Sequence, residues 1–179
     1  MNKKEEILKV ALNIFAKKGY ENTSLEEIAK EVNITKPAIY YHFKNKSELY
    51  NQIFIEYFKN IELKNDLKDY IYKMGEFFIK NPMIAKLFSK ELSCEMTHLD
   101  IDTIKIVSKT VKTLTEILKD KNINPFFIQT LIISSFTTYI NTLEIRKKVS
   151  DVVKENNLII EFDVIEEIYK MINLYIDQK

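Results

Sequence analysis

The sequence predicts an all-α protein: an N-terminal three-helix lobe bearing a helix-turn-helix, followed by a larger helical bundle. Three observations carry this expectation. Only two glycines and three prolines interrupt 179 residues otherwise rich in Lys, Glu, Ile and Leu, a composition with few helix breakers. Apolar residues recur at helical spacing in segment after segment. Helix-start punctuation, a capping residue followed by proline, appears at Asn81-Pro82 and again at Asn124-Pro125.

Lys3 to Lys18 forms the first amphipathic stretch, with Ile7, Val10, Ala11 and Ile14 on one face and Phe15 beside them. Lys17 and Lys18 suit the negative end of the helix dipole, and Gly19 supplies the C-terminal cap. From Thr23 to Phe43 the chain encodes two short helices and a tight turn. Thr23 or Ser24 caps the first, with Glu26 or Glu27 three residues on to close a capping box. Leu25, Ile28, Ala29 and Val32 give that helix its buried face. Asn33 stands where the chain reverses, a position that favours the left-handed conformation Asn tolerates. Thr35 is expected to cap the second helix, and Pro37 falls in its first turn, where a missing N–H is harmless. Ile39 and Phe43 read as core. A helix-turn-helix whose second helix carries surplus polar and aromatic side chains is the pattern of a DNA-reading element.

A fourth helix starts near Lys46 with Leu49, Ile53, Tyr57 and Ile61 on one side. Leu67 to Phe78 marks a fifth, and Asn81-Pro82 launches a sixth through Ile84, Leu87, Phe88 and Leu92. One helix from about Asp100 is expected to align Ile104, Val107, Val111, Leu114 and Leu118. Asn124-Pro125 opens the most apolar segment, which runs to Leu143 and turns polar from Glu144. The last helix spans Asp163 to Asp177. By motif content the chain divides into a helix-turn-helix segment, 1–48, and a larger helical segment, 49–179.

Composition bounds the function. Net charge is +1, and residues 1–50 carry nine lysines against seven acids. Long-range attraction to a polyanion is therefore weak, and DNA affinity must come from locally placed groups. A single cysteine, Cys94, excludes an intramolecular disulfide and fits a reducing cytoplasm. The N-terminus lacks a secretory h-region, and no apolar run reaches the length of a membrane span. No Walker, Rossmann or HExxH motif occurs, so neither catalysis nor a cofactor is expected. Cys94 and His98 lie four apart, but two ligands do not make a metal site; they read as a half-buried thiol and a surface imidazole.

Residues 7–50 resemble the TetR family of transcriptional regulators. The resemblance rests on the spacing from Phe15 and Gly19 through Ile28-Ala29 to Tyr40-Tyr41-His42-Phe43 and Lys46. It implies a homodimer on a palindromic double-stranded DNA operator, with residues 49–179 as a second domain that dimerises, binds a small molecule and releases the DNA. Two positions depart from the family's habit: Asn33 replaces a common turn glycine, and Glu26 stands where many members place a base. On this reading Lys36 donates to guanine, while Pro37, Ala38 and Tyr40 offer apolar contact to a thymine methyl. Tyr41, His42 and Lys46 reach phosphates. Ser24 and Thr35 are caps and secondary phosphate donors. Met74, Phe77, Phe78, Phe88 and Met96 are the candidate lining of an apolar effector pocket. Phe136, Tyr139, Ile140, Ile168 and Ile172 are the candidate dimer seam. The rival reading is a helical interaction or scaffold protein without sequence-specific DNA binding.

Overall fold

A computed structural model describes residues 2–155 and 158–178, and every regular element among them is a helix. The elements are α1 (Lys3–Lys18), α2 (Leu25–Glu31), α3 (Lys36–His42), α4 (Lys46–Phe58), α5 (Leu67–Lys80), α6 (Pro82–Ser93), α7 (Ile101–Val107), α8 (Lys109–Ile117), α9 (Pro125–Asn141), α10 (Leu143–Val153) and α11 (Val164–Asp177). Among the described residues no helix is long and apolar enough to cross a membrane. The chain forms two compact units: residues 1–61 with 86–108, and residues 62–85 with 109–179. Packing thus groups the chain differently from the motif-based division at 48/49.

In the first unit, α1 is closed at its start by a full capping box. The Asn2 side chain accepts from the Glu5 N–H at 2.9 Å, and the Glu5 carboxylate accepts from the Asn2 N–H at 3.1 Å. Gly19 ends the helix at φ 85°, as its position predicts. The buried face of α1 is Ile7, Leu8, Ala11, Leu12, Phe15 and Ala16. Leu8 and Leu12 thus take core places expected of Val10 and Ile14, which are half-buried; the helix is rotated toward its leucines. Ile28, Ile39, Phe43, Leu49, Ile53 and Phe54 close the core over it. Tyr57 and Ile61, expected on the apolar side of α4, are half-buried, and Tyr50 and Phe54 are buried instead.

The turn between α2 and α3 is a Schellman motif. Asn33 sits at φ 56°, its N–H donates to Lys30 O at 3.1 Å, and the Ile34 N–H donates to Ala29 O at 2.9 Å. Ser24, not Thr23, caps α2 by accepting from the Glu27 N–H at 3.1 Å. Thr23 is buried, its hydroxyl donating to Gly19 O at 2.8 Å. The expected side-chain cap from Thr35 is absent. The Thr35 carbonyl instead accepts from the Ala38 N–H at 3.0 Å.

In the second unit, Tyr70, Ile71, Met74 and Phe78 of α5 share a core with Ile128, Ile132 and Phe136 of α9 and Ile168, Ile172 and Ile176 of α11. A Cβ on Gly75 would lie 2.6 Å from Ile165 Cγ1 and 2.8 Å from Phe136 Cζ. The missing side chain is what lets α5 and α11 approach. The Tyr72 hydroxyl donates to the Glu166 carboxylate and ties the same two helices.

Two elements differ from expectation. The single helix expected from Asp100 to Leu118 is broken at Ser108, whose N–H closes α7 on Ile104 O at 2.8 Å. The apolar stripe continues in register across the break, so periodicity gives no warning of it. The β-branched run Ile104, Ile106, Val107, Thr110, Val111 has modest helix preference and offers little resistance to the interruption. The second is α10, in a stretch expected only to turn polar from Glu144, although Ile145, Val149, Val152 and Val153 recur along it at helical spacing; the helix buries no residue, and these four are exposed.

Candidate nucleic-acid interface

The seven residues of α3 divide cleanly between inside and outside. Ile39 is buried on the helix, and Phe43 is buried at its C-cap. The other side carries Pro37, Tyr40 and Tyr41 in solvent, with Lys36, Ala38 and His42 half-buried beside them. Tyr41 is 86% exposed, its ring resting edge-on against His42 at 5.0 Å. Two adjacent tyrosines on a helix of about two turns face water with an apolar ring and a phenolic donor each. That surface suits thymine methyls and phosphate oxygens. Thr35 and Ser24 are exposed at the starts of their helices.

Electrostatics change two of the expected roles. The Lys36 ammonium is bonded to the Glu26 carboxylate on α2 and lies 6.0 Å from the Tyr40 ring centroid. Each partner stabilises the charge of the other: Glu26 is held below the usual carboxylate range by Lys36, and Lys36 is raised by Glu26. Glu26 therefore belongs to the site, as a competitor for the cation that would meet a base. Opposite charges ten residues apart on successive helices leave no sequence periodicity by which to find this pair.

Lys46 is not a phosphate contact in this arrangement. Its ammonium donates to Tyr20 O at 3.0 Å and Thr23 O at 3.2 Å, and stands 4.1 Å over the Tyr20 ring. It pins the α1–α2 turn to the start of α4, with two of its three donors used internally. Lys44, exposed in the turn after α3, is a lysine that sequence reasoning passed over. Its signal was available: it immediately follows the reading helix.

The candidate pocket residues are divided between the two units. Met74 and Phe78 are fully buried core of the second unit, with Phe77 half-buried beside them. Phe88 is core of the first unit, and Met96 sits in the turn after α6. None of the five lines either of the cavities at Glu91 and Arg146. Of the dimer candidates, Phe136, Ile168 and Ile172 are buried within one protomer. Tyr139 is held internally, its ring 4.4 Å from the Arg146 guanidinium and its hydroxyl donating to Phe162 O at 3.1 Å. Ile140 is half-buried. The apolar groups that do reach solvent on α9 and α11 are Phe126, Phe127, Met171 and Leu174.

The Arg146 cavity, about 620 Å³, belongs to the second unit and is lined by residues that include Ser134, Thr138, Tyr139, Thr142, Arg146 and Met171. Arg146 donates from Nε to Ile160 O at 2.9 Å and from Nη1 to Tyr139 O at 2.8 Å and Thr142 Oγ1 at 2.7 Å. Its Nη2 is buried without a partner among the described residues. Cys94 is exposed and His98 half-buried, the reverse of expectation, because the turn after α6 folds His98 inward. Among the described residues no group of three or more His, Cys, Asp or Glu could hold a metal ion.

Comparison with known proteins places this geometry. Residues 7–53 match the family model described as bacterial regulatory proteins, tetR family. The chain is similar to the biofilm operon icaADBC HTH-type negative transcriptional regulator IcaR of Staphylococcus aureus, 41% identical over 68 residues, 36% of this chain and 37% of that protein. The Staphylococcus epidermidis IcaR is 39% identical over 110 residues, 53% of this chain and 60% of that protein. The chain thus spans well under two thirds of the length of these relatives. Its fold is similar to that of a putative transcriptional regulator, SCO4942, from Streptomyces coelicolor, with TM-score 0.69, 16% identity and coverage of 99% and 100% of the two chains. It is similar also to that of the transcriptional regulator FadR from Bacillus subtilis in complex with stearoyl-CoA, with TM-score 0.60, 15% identity and coverage of 98% of each.

Proposed function

We propose that this chain is a DNA-binding transcriptional repressor of the TetR family, released by a small ligand, a reading supported by the match of residues 7–53 to that family's model. The observation that carries the reading is the solvent face of α3, where Pro37, Tyr40 and Tyr41 stand free of the core. In the proposed complex this face enters the major groove, with Pro37, Ala38 and Tyr40 against base edges. Tyr41, His42, Lys44 and the hydroxyls of Ser24 and Thr35 meet the backbone. Lys36 reaches a base only by exchanging Glu26 for it.

A single lobe of nearly neutral charge holds DNA weakly, so the proposal requires two copies on a palindrome, their reading helices about 34 Å apart. The exposed apolar groups of α9 and α11, Phe127, Met171 and Leu174 among them, are the proposed seam between copies. The effector is an unidentified, largely apolar small molecule, and the Arg146 cavity supports a place for it. A ligand that prefers a differently spaced dimer lowers DNA affinity, and linkage requires DNA to lower ligand affinity by the same factor. Regulation of transcription also implies a cytoplasmic protein without catalytic activity.

The test is a gel shift with the DNA upstream of the protein's own gene, at matched salt. A palindromic fragment should bind about 10³-fold or more tightly than random DNA. Equal affinity for both would leave the scaffold reading in possession.

A further inference from the structure

The first unit holds a second polar cluster, which operator reading leaves unused. Glu91, on the last turn of α6, keeps only 2% of its side chain exposed. It lines a cavity of about 340 Å³ together with Tyr20, Glu21, Tyr50, Lys90 and His98. Its Oε1 accepts from the Tyr50 hydroxyl at 2.5 Å and lies 2.8 Å from His98 Nδ1. Its Oε2 is buried without a partner among the described residues. A buried carboxylate oxygen left bare is costly, and the demand it leaves is for a donor.

The surroundings are built to hold this arrangement. Buried Asn51 donates to His98 O at 3.1 Å and accepts from the Asp100 N–H at 2.9 Å, fixing the turn that delivers His98. Burial and the neighbouring Glu91 push the Tyr50 phenol far up, so it remains a donor. At the mouth, exposed Glu21 brings a second carboxylate 3.4 Å from His98 Nε2. Neither nearby lysine is bonded to Glu91: Lys46 is bonded to backbone carbonyls, and Lys90 Nζ, at the cavity lining, stands 3.5 Å from Lys17 O. Two carboxylates beside aromatic rings favour a positively charged donor over a neutral or anionic one.

We propose that this cavity binds a small organic cation, a primary alkylammonium whose N–H groups donate to Glu91 Oε2 and whose chain lies along Tyr20 and Tyr50. The proposal stands apart from operator binding, because it concerns a ligand of the free protein. The bound cation would join the α1–α2 turn to the end of α6 inside the unit that reads DNA.

Calorimetric titration of the full chain, without DNA and at constant ionic strength, tests it with three probes of one chain length: butylammonium, 1-butanol and butyrate. Butylammonium should saturate with a dissociation constant of about 1 mM or tighter, with the other two at least about tenfold weaker. Glu91→Gln keeps the shape and an oxygen for Tyr50, and should weaken butylammonium at least about tenfold. Glu21→Gln changes an exposed side chain and should weaken it about threefold. If circular dichroism finds Glu91→Gln unfolded, the Glu21→Gln ratio and the wild-type probe order decide alone. Equal binding of the three probes, no saturation by about 100 mM butylammonium, or a folded Glu91→Gln protein with unchanged affinity overturns the proposal.

Discussion

At the scale of single residues, the interface is governed by what each cation is already doing. Lys36 faces the side of α3 that would meet DNA, yet its ammonium is bonded to Glu26. Glu26 is held below the ordinary carboxylate range and Lys36 is raised, so both partners are charged at neutral pH, and the pair is lost as acid protonates Glu26 or strong alkali deprotonates Lys36. Replacing Glu26 with Gln should free Lys36, tighten binding to all DNA sequences and steepen the salt dependence by about one unit of slope. Weaker and less selective binding would instead make Glu26 a base reader. Lys46 makes the opposite case. Lys46→Met removes two hydrogen bonds to backbone carbonyls and a cation over Tyr20. It should cost about 1–2 kcal/mol of stability in urea denaturation while leaving the salt slope of DNA binding alone. A reduced slope at unchanged stability would return Lys46 to the phosphates. In the second unit, Gly75→Ala forces a methyl against Ile165 and Phe136 and should cost about 1–3 kcal/mol. Adding Ile165→Ala removes both nearest Ile165 atoms, so the double variant should lose clearly less than the two single losses combined. Strict additivity would mean the clash is relieved elsewhere.

At the scale of elements, the sequence discloses the spacing of apolar residues rather than what covers them. Helices α1, α5, α9 and α11 bury apolar stripes and announce themselves by spacing, and Gly19, Asn33 and Asn124 punctuate them through local chemistry that needs no tertiary partner. Helix α10 buries nothing, yet Ile145, Val149, Val152 and Val153 repeat at helical spacing along it, so periodicity marks an apolar face without telling whether that face is covered. The break at Ser108 was invisible because its stripe runs on uninterrupted. The same logic divides the site. Ile39 inside and Tyr40 outside follow from the position of α3 in its motif. The capture of Lys36 by Glu26 and of Lys46 by the Tyr20 and Thr23 carbonyls depends on contacts between elements, which spacing does not encode. Aromatic and aliphatic stripes, finally, look alike whether they line a pocket, a dimer seam or a core. Phe78 and Phe136 took the commonest of these places. Arg146 ties α10 to α9 and to the 158–162 segment through its planar fork. Arg146→Lys cannot reproduce that geometry. Hydrogen exchange should show the α10 amides losing protection while α5, α9 and α11 keep theirs. Loss of protection throughout the second unit would mean that Arg146 supports the whole core.

At the scale of the whole molecule, a net charge of +1 forces a particular kind of binding. A strongly basic reader gains affinity for any DNA before it finds its site; this chain gains little that way. On the proposed reading its selectivity comes from two lobes engaged together, where the second contact would be intramolecular and would draw on an effective concentration fixed by the proposed dimer. That arrangement ties affinity to geometry. On synthetic palindromes, the strongest binding should fall where the half-site centres lie about 10–10.5 base pairs apart, or a multiple of that. Inserting about five base pairs turns the second half-site to the opposite face of the duplex, and affinity should fall to that of an isolated half-site, about 10²-fold or more below the optimum. Breaking the proposed seam should do the same without touching the DNA. Leu174→Glu places a charge on an exposed apolar position of α11, where it costs the protomer little but opposes self-association. Sedimentation should then report a monomer, and the spacing dependence should disappear together with the tight binding. A monomeric Leu174→Glu protein that still distinguished the spacings would place the contact between copies on another surface. A wild-type protein indifferent to spacing would mean that one lobe reads alone.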